Sequence, residues 1–498
     1  MDTLADGAPA LYYALMNMLA AIGFGFLALF PIISLFSLTF VGYIAWKTPV
    51  LEWNMVEWIV SLLLLVVAGL AGWTTIAIRK LRPELPPGKP LLSGDFPTLL
   101  NRINELSTTY NSPDIEHIRL TTRFDIELVQ TPASGFPLRF TNTLLIGLPA
   151  MSCISPLHMK LLLARQIGHL ALSRTQPGRR IVYLRQVWQQ YANLYAREWR
   201  ADTALLRLFT GWYAGLFMTS TRAAMRLETF VRDKCLLDIT PAEKAAEAIS
   251  IYAIKQRFVD EQFWPALNDM AYAHAKPPYL PYSEMDNIMR KELDERNERV
   301  YFEKELSRTI LTGDERPGLR QRLARLGYED ITIVGHRTDN AAHHFFGDSL
   351  GPIQKQLDNV WYLQNKTVWN KRYQQGMAEK QQLRNLREQA ARALLSNAEA
   401  RIYLQLLNKY IAPEKTLPLC YEVLKTNSLD AGVCYEVGRI LLSANDARGV
   451  EALHMAMNLS DSLTVDCCQL IINYMIEIGD MRSAQQYRRM ILAHQVAS

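Results

Sequence analysis

Charge is what the first part of this chain lacks. Between Leu11 and Trp46 there is no Asp, Glu, Lys, Arg or His. Residues 1–78 carry a single basic side chain, Lys47, against Asp2, Asp6, Glu52 and Glu57. A fully soluble protein is excluded by that stretch, because an apolar run of such length has no aqueous core to enter. Cysteine is also scarce, six residues in 498, which excludes a disulfide scaffold. No Walker, Rossmann or kinase signature is present. The chain beyond residue 78 holds 53 of the 54 basic and 45 of the 49 acidic residues, a modest +8. That balance does not describe a dedicated nucleic-acid binder. With 49% hydrophobic and 21% charged residues, disorder is excluded too.

The apolar stretches themselves predict a membrane hairpin. A crossing takes about 20 residues, so 11–46 suffices for one span with an interfacial extension, and 58–78 for a second. Pro31 predicts a kink, or the point where the first helix leaves the membrane. Trp46, Trp53, Trp58 and Trp73 fall near the expected interfaces. A cleaved signal peptide fits poorly, since no basic region precedes the apolar run. Arg79, Lys80, Arg82 and Lys89 follow the second span, while the loop between spans has only Lys47 against Glu52 and Glu57. The positive-inside rule then places residues 80–498 in the cytoplasm. The expected location is the inner (plasma) membrane, crossed twice, and unpaired cysteines agree with a reducing compartment.

The expected class is mainly α with a small β-sheet (α+β). The expected parts are a transmembrane hairpin (1–80), a Pro-rich linker (81–91), a globular domain (92–350), a charged helical connector (351–395) and helical repeats (396–498). Within the globular domain, 96–110 is helical. Residues 118–147, rich in Thr, Ile, Val and Phe, suggest strands. Ser155-Pro156 opens a helix to about Ser173, with Ser at the N-cap and Pro at N1. Long helical patterns follow at 178–208 and 221–234. In the last part, Asn445-Asp-Ala-Arg aligns with Gly479-Asp-Met-Arg at an offset of 34, the tetratricopeptide period, with a weak third copy near 416–425.

The helix after Ser155 reads Leu161-Leu-Leu-Ala-Arg-Gln-Ile-Gly-His-Leu-Ala-Leu-Ser173, and Glu198-Trp-Arg-Ala-Asp202 begins 29 residues past His169. A zinc-peptidase helix of the form H-E-x-x-H sets two imidazoles one turn apart, with the glutamate between them as general base. A later helix supplies a carboxylate ligand, and an aspartate four residues on can orient a ligand histidine.

On these residues the chain resembles the integral-membrane gluzincin metallopeptidases, the HtpX-like and CAAX-prenyl-protease-like group (metallopeptidase family forty-eight). It is most similar to the bacterial branch with two N-terminal spans and C-terminal repeats. The resemblance runs from about Pro90 to Trp369. It includes Thr122-Arg-Phe-Asp125, Leu144-Leu-Ile-Gly-Leu-Pro149, Ile181-Val-Tyr-Leu-Arg-Gln-Val-Trp188, Phe263-Trp-Pro265, Asp314-Glu-Arg-Pro-Gly-Leu319 with Arg322, and Phe345-Phe-Gly-Asp348. It implies a gluzincin-like domain in 92–350 and an edge strand at 138–147 on which a polypeptide aligns.

The resemblance puts Arg165 at the first-ligand position, Gln166 at the general-base position, His169 and Glu198 at the retained ligand positions, Asp202 at the orienting position and Arg316 at an accessory histidine position. Arginine offers no lone pair to a metal, and glutamine cannot take a proton from water. The expectation is a pseudopeptidase without a cofactor, in which Arg165 pairs with Glu198 in place of the missing cation. It would bind a polypeptide or protein partner through the cleft and the repeats, as a scaffold or regulator at the membrane. The alternative is a working zinc endopeptidase in membrane-protein quality control, drawing a ligand from His158 or another chain. His343 and His344, being adjacent, have poor ligand spacing.

Overall fold

The computed structural model describes residues 2–497 except 81, 93, 95, 137–138, 198–203, 309–313 and 329–339. It is mostly helical, with one four-stranded sheet. The chain divides into two units: residues 1–256 with 308–351, and residues 257–307 with 352–498.

The first unit begins with α1 (Asp2–Gly7), α2 (Pro9–Lys47) and α3 (Met55–Lys80). Helices α2 and α3 are long and apolar enough to cross a bilayer, and only 17% of the most apolar window in each is buried. They are therefore not core helices. They pack against each other, with Ser34 Oγ donating to the Ala68 carbonyl at 3.0 Å. Helix α2 continues through Pro31 as one element. At 1.5 Å per residue it is about 58 Å long, roughly twice the hydrocarbon thickness. The surplus half is not interfacial. Tyr12, Met16, Ala20, Gly23 and Leu27 are buried on one helical face, packed against the rest of the unit.

The sheet comprises β1 (Lys89–Pro90), β2 (His117–Thr121), β3 (Ile126–Pro132) and β4 (Phe140–Gly147), in the order β1-β2-β4-β3. Strand β4 runs parallel to β2 and antiparallel to β3. The segment expected at the edge, 138–147, is therefore central in its described part, and β3 is the outer strand. Burial explains this: Asn142 to Gly147 is buried throughout and cannot face solvent along one edge.

Helix α4 (Pro97–Tyr110) follows β1, and α5 (Leu148–Cys153) follows β4 directly. Next comes α6 (Pro156–Thr175), where Ser155 Oγ accepts the His158 amide at 3.3 Å and Pro156 occupies the first turn. Helix α6 is buried nearly all round, against α4, β3 and α9. Helices α7 (Ile181–Arg197), α8 (Ala204–Ser220), α9 (Arg222–Lys234) and α10 (Ala242–Phe258) complete the frame. An aromatic cluster of Trp188, Tyr191, Tyr195, Tyr213 and Phe217 joins α7 and α8 to Ala20 and Leu27 of α2 and Ile78 of α3.

The second unit holds a 41-residue helix, Leu350–Ala390, and six helices between Asn397 and Ala497 that stack as hairpins. Ser396 and Glu399 cap the first of these reciprocally. Two hairpin turns share their geometry 34 residues apart: Asn445 and Gly479 both have positive φ, 58° and 84°. Ile411, one period earlier, is extended at φ −117°, because Pro413 starts the next helix there. That is why the third copy reads weakly. The helix Pro281–Glu292 also belongs to this unit, its first turn capped by the buried Asp358, which accepts the Tyr282 amide at 2.8 Å.

Candidate functional site

An arginine in a helix of leucines needs a carboxylate, because an isolated buried charge is costly. Arg165 finds one on α9. Its Nε donates to Asp233 Oδ1 at 2.6 Å. Arg322, from the helix Leu319–Arg325, donates its Nε to Asp233 Oδ2 at 2.7 Å and its second nitrogen to Oδ1 at 3.0 Å. The Asp233 side chain is 2% exposed. Burial pushes its pKa up, but Arg322 and Arg165 outweigh that and hold it below the usual carboxylate range. Burial lowers the Arg165 guanidinium to about 10, still protonated at neutral pH. Asp233 is thus shared between two guanidiniums.

His169 lies one turn further along α6 and is fully buried. Its Nε2 is 2.9 Å from Glu228 Oε2, and its Nδ1 is 3.0 Å from the Tyr183 hydroxyl on α7. Glu228 also accepts from Arg179 at 2.7 Å and from the Tyr13 hydroxyl of α2. Burial pushes His169 down to about 4, so the ring is neutral at pH 7. Glu228 is raised by burial, but its hydrogen bond from His169 and the charge of Arg179 bring it below the ordinary range. The pattern defines the tautomer: Nε2–H donates to the carboxylate, and Nδ1 accepts from the Tyr183 hydroxyl. Helices α2, α6, α7 and α9 and the turn 177–180 all meet at this one network.

Gln166, between these two residues, is buried and donates its amide to the Ile126 carbonyl at 2.6 Å. Ile126 begins β3, whose outer edge pairs with no strand among the described residues. The same edge receives two more carboxamides, both from α7. Gln186 accepts the Gln130 amide at 3.3 Å, and Gln190 donates to the Gln130 carbonyl at 3.1 Å. Side chains thus occupy the backbone groups that an added peptide strand would use.

The other expected residues distribute as follows. Glu198 and Asp202 lie outside the described residues. Arg165, expected opposite Glu198, meets Asp233 and not an unpaired pocket. Arg316 is exposed. His158 is engaged within 3.3 Å by Ser155 and by Glu247 of α10. His343 and His344 are exposed on a six-residue helix. Sequence reasoning missed Glu228 and Asp233. The sequence offered α9 only as a predicted helix carrying acids, and nothing in it paired those acids with α6.

Zinc does not fit the residues described. A ligand imidazole must present a lone pair, yet the His169 nitrogen facing the acid carries a proton, and a fixed cation stands one turn away. Among the described residues, no three His, Cys, Asp or Glu converge as a metal site. What the arrangement can do is hold α2, α6, α7 and α9 in one register. Next to it, α9 and the helix Leu319–Arg325 enclose a recess of about 520 Å³ lined by Arg226, Phe230, Gln321 and Arg325. No family profile, curated protein or solved structure matches this chain.

Proposed function

We propose that the chain is a membrane-anchored pseudopeptidase that binds a polypeptide or protein partner and acts as scaffold or regulator. One observation carries the reading: three of the positions at which the resemblance puts metal chemistry are each taken by an internal partner. Arg165 is held by Asp233, Gln166 by the Ile126 carbonyl and His169 by Glu228. A general base or a metal would have to displace buried contacts to act there. In this reading α2 and α3 anchor the chain in the inner membrane, and the cations after α3 hold the remainder on the cytoplasmic side. Binding belongs to the recess between α9 and Leu319–Arg325 and to the stacked hairpins, since carboxamides block the β3 edge.

The test is the metal content and proteolytic activity of the detergent-purified full chain. The expected result is substoichiometric zinc and no chelator-sensitive cleavage of a denatured protein substrate. Stoichiometric zinc with cleavage abolished by a chelator would overturn the reading. A second measurement keeps the binding half testable: deletion of residues 396–498 should release a partner cross-linked in native membranes, while Arg226→Glu weakens it.

A further inference from the structure

Helix α8 exposes a face that water does not explain. Leu205, Leu208, Trp212 and Leu216 are 57%, 73%, 65% and 39% exposed. With Ala204, Gly211, Gly215 and Thr219 they form one continuous helical stripe without a charge. A stripe of this length on a soluble surface marks an interaction site. The opposite face, Leu206, Thr210, Tyr213, Ala214 and Phe217, is buried on the first unit.

The packing of α8 tells what covers the stripe. It lies antiparallel to α2: the Tyr12 hydroxyl donates to the Ser220 carbonyl at 2.9 Å, the Tyr213 hydroxyl donates to the Leu19 carbonyl, and Phe209 stacks on Phe26 with centroids 3.7 Å apart. Leu27, the next residue of α2, shares a cluster with Ile78 of α3, just before Arg79 and Lys80. The Phe209 level of α8 is therefore that of the charged end of the second span, and Ala204 to Leu208 lie beyond it toward the span. A separate contact agrees: Arg197, the last residue of α7, is 3.5 Å from Glu84, just past that end.

We propose that the first two turns of α8 enter the near leaflet of the bilayer, as a third membrane contact beside α2 and α3. Leu205 and Leu208 reach the acyl chains. Trp212, three residues or about 4.5 Å past the Phe209 level, lies among the headgroups, where indoles prefer to be. The occupant of the stripe is lipid, by continuity with the lipid-facing sides of the two spans. This rests on the membrane reading given above for α2 and α3.

The test uses the full chain in phosphatidylcholine–phosphatidylglycerol vesicles. The native cysteines are all buried, so one introduced thiol can carry an environment-sensitive fluorophore. Leu208→Cys is compared with Leu62→Cys on α3 and with Leu237→Cys, an exposed leucine in the turn after α9. Doxyl-labelled lipid should quench most of the emission at positions 62 and 208 and little at 237. Quenching at 62 without quenching at 208 would overturn the insertion of α8 while leaving the anchor intact. Loss of quenching at both would overturn the anchor as well. Shielding of 208 that rises with the protein-to-lipid ratio would mean a second copy covers the stripe, which also overturns the proposal.

Discussion

The neutral, buried His169 makes stability depend on pH in a defined window. In the unfolded chain this histidine titrates near 6.5, and in the folded protein burial moves it to about 4. Between those values the unfolded state binds a proton that the folded state does not. Stability therefore falls as pH falls from 6.5, and the loss is complete at about pH 4. Two-state linkage gives about 2 kcal/mol lost between pH 7 and pH 5 from this one group. Glu228 and Asp233, both below the ordinary carboxylate range, stay charged in the folded protein across that window, and their own contribution is lost mainly below about pH 5, where the unfolded carboxylates take up protons. His169→Gln removes the titration and keeps an amide that can donate to Glu228. The assay is thermal unfolding of the detergent-solubilised full chain, followed by intrinsic fluorescence at pH 7 and pH 5. The wild type should lose roughly 4–8 °C more than the variant over the interval, at about 2–4 °C per kcal/mol. Equal losses in both proteins would refute a neutral His169. Because the other histidines are common to both proteins, their titration cancels in the comparison.

Other expectations follow from single contacts. Asp233→Ala takes the shared carboxylate from two half-buried guanidiniums and should cost about 3–5 kcal/mol in chemical denaturation, more than Arg165→Ala, which leaves Arg322 on Asp233. Gln166→Leu strips the Ile126 carbonyl of its donor and should cost about 1–3 kcal/mol, with faster amide exchange along β3 read by mass spectrometry. Gly23→Ala places a methyl 2.5 Å from the Trp188 and Tyr213 rings and should cost about 1–3 kcal/mol, seen as a lower melting temperature.

Local signals made parts of this architecture legible. Ser155-Pro156 marked the start of α6, and the structure places the cap hydrogen bond there. The charge-free runs marked α2 and α3, and the offset of 34 marked two turns with matching positive φ. What stayed hidden is long-range. Asp233 meets Arg165 across 68 residues and Glu228 meets His169 across 59, so no spacing rule could pair them. Strand order was hidden for a similar reason: a parallel β2–β4 pair with β3 outside depends on how the connections cross, not on the alternation within each strand. The unbroken course of α2 past Pro31 reflects tertiary support, since half of that helix is clamped by neighbours.

The unbroken first helix makes the anchor a lever. Ser34, bonded to Ala68 at the middle of α3, acts as the pivot, and Tyr13 is the far end of the arm, about 32 Å away at 1.5 Å per residue. Swinging that arm by about 5° would carry the Tyr13 hydroxyl roughly 3 Å, enough to break its hydrogen bond to Glu228. On the membrane reading proposed above, bilayer thickness, which sets how far a long apolar helix leans, would bear on the packing around His169.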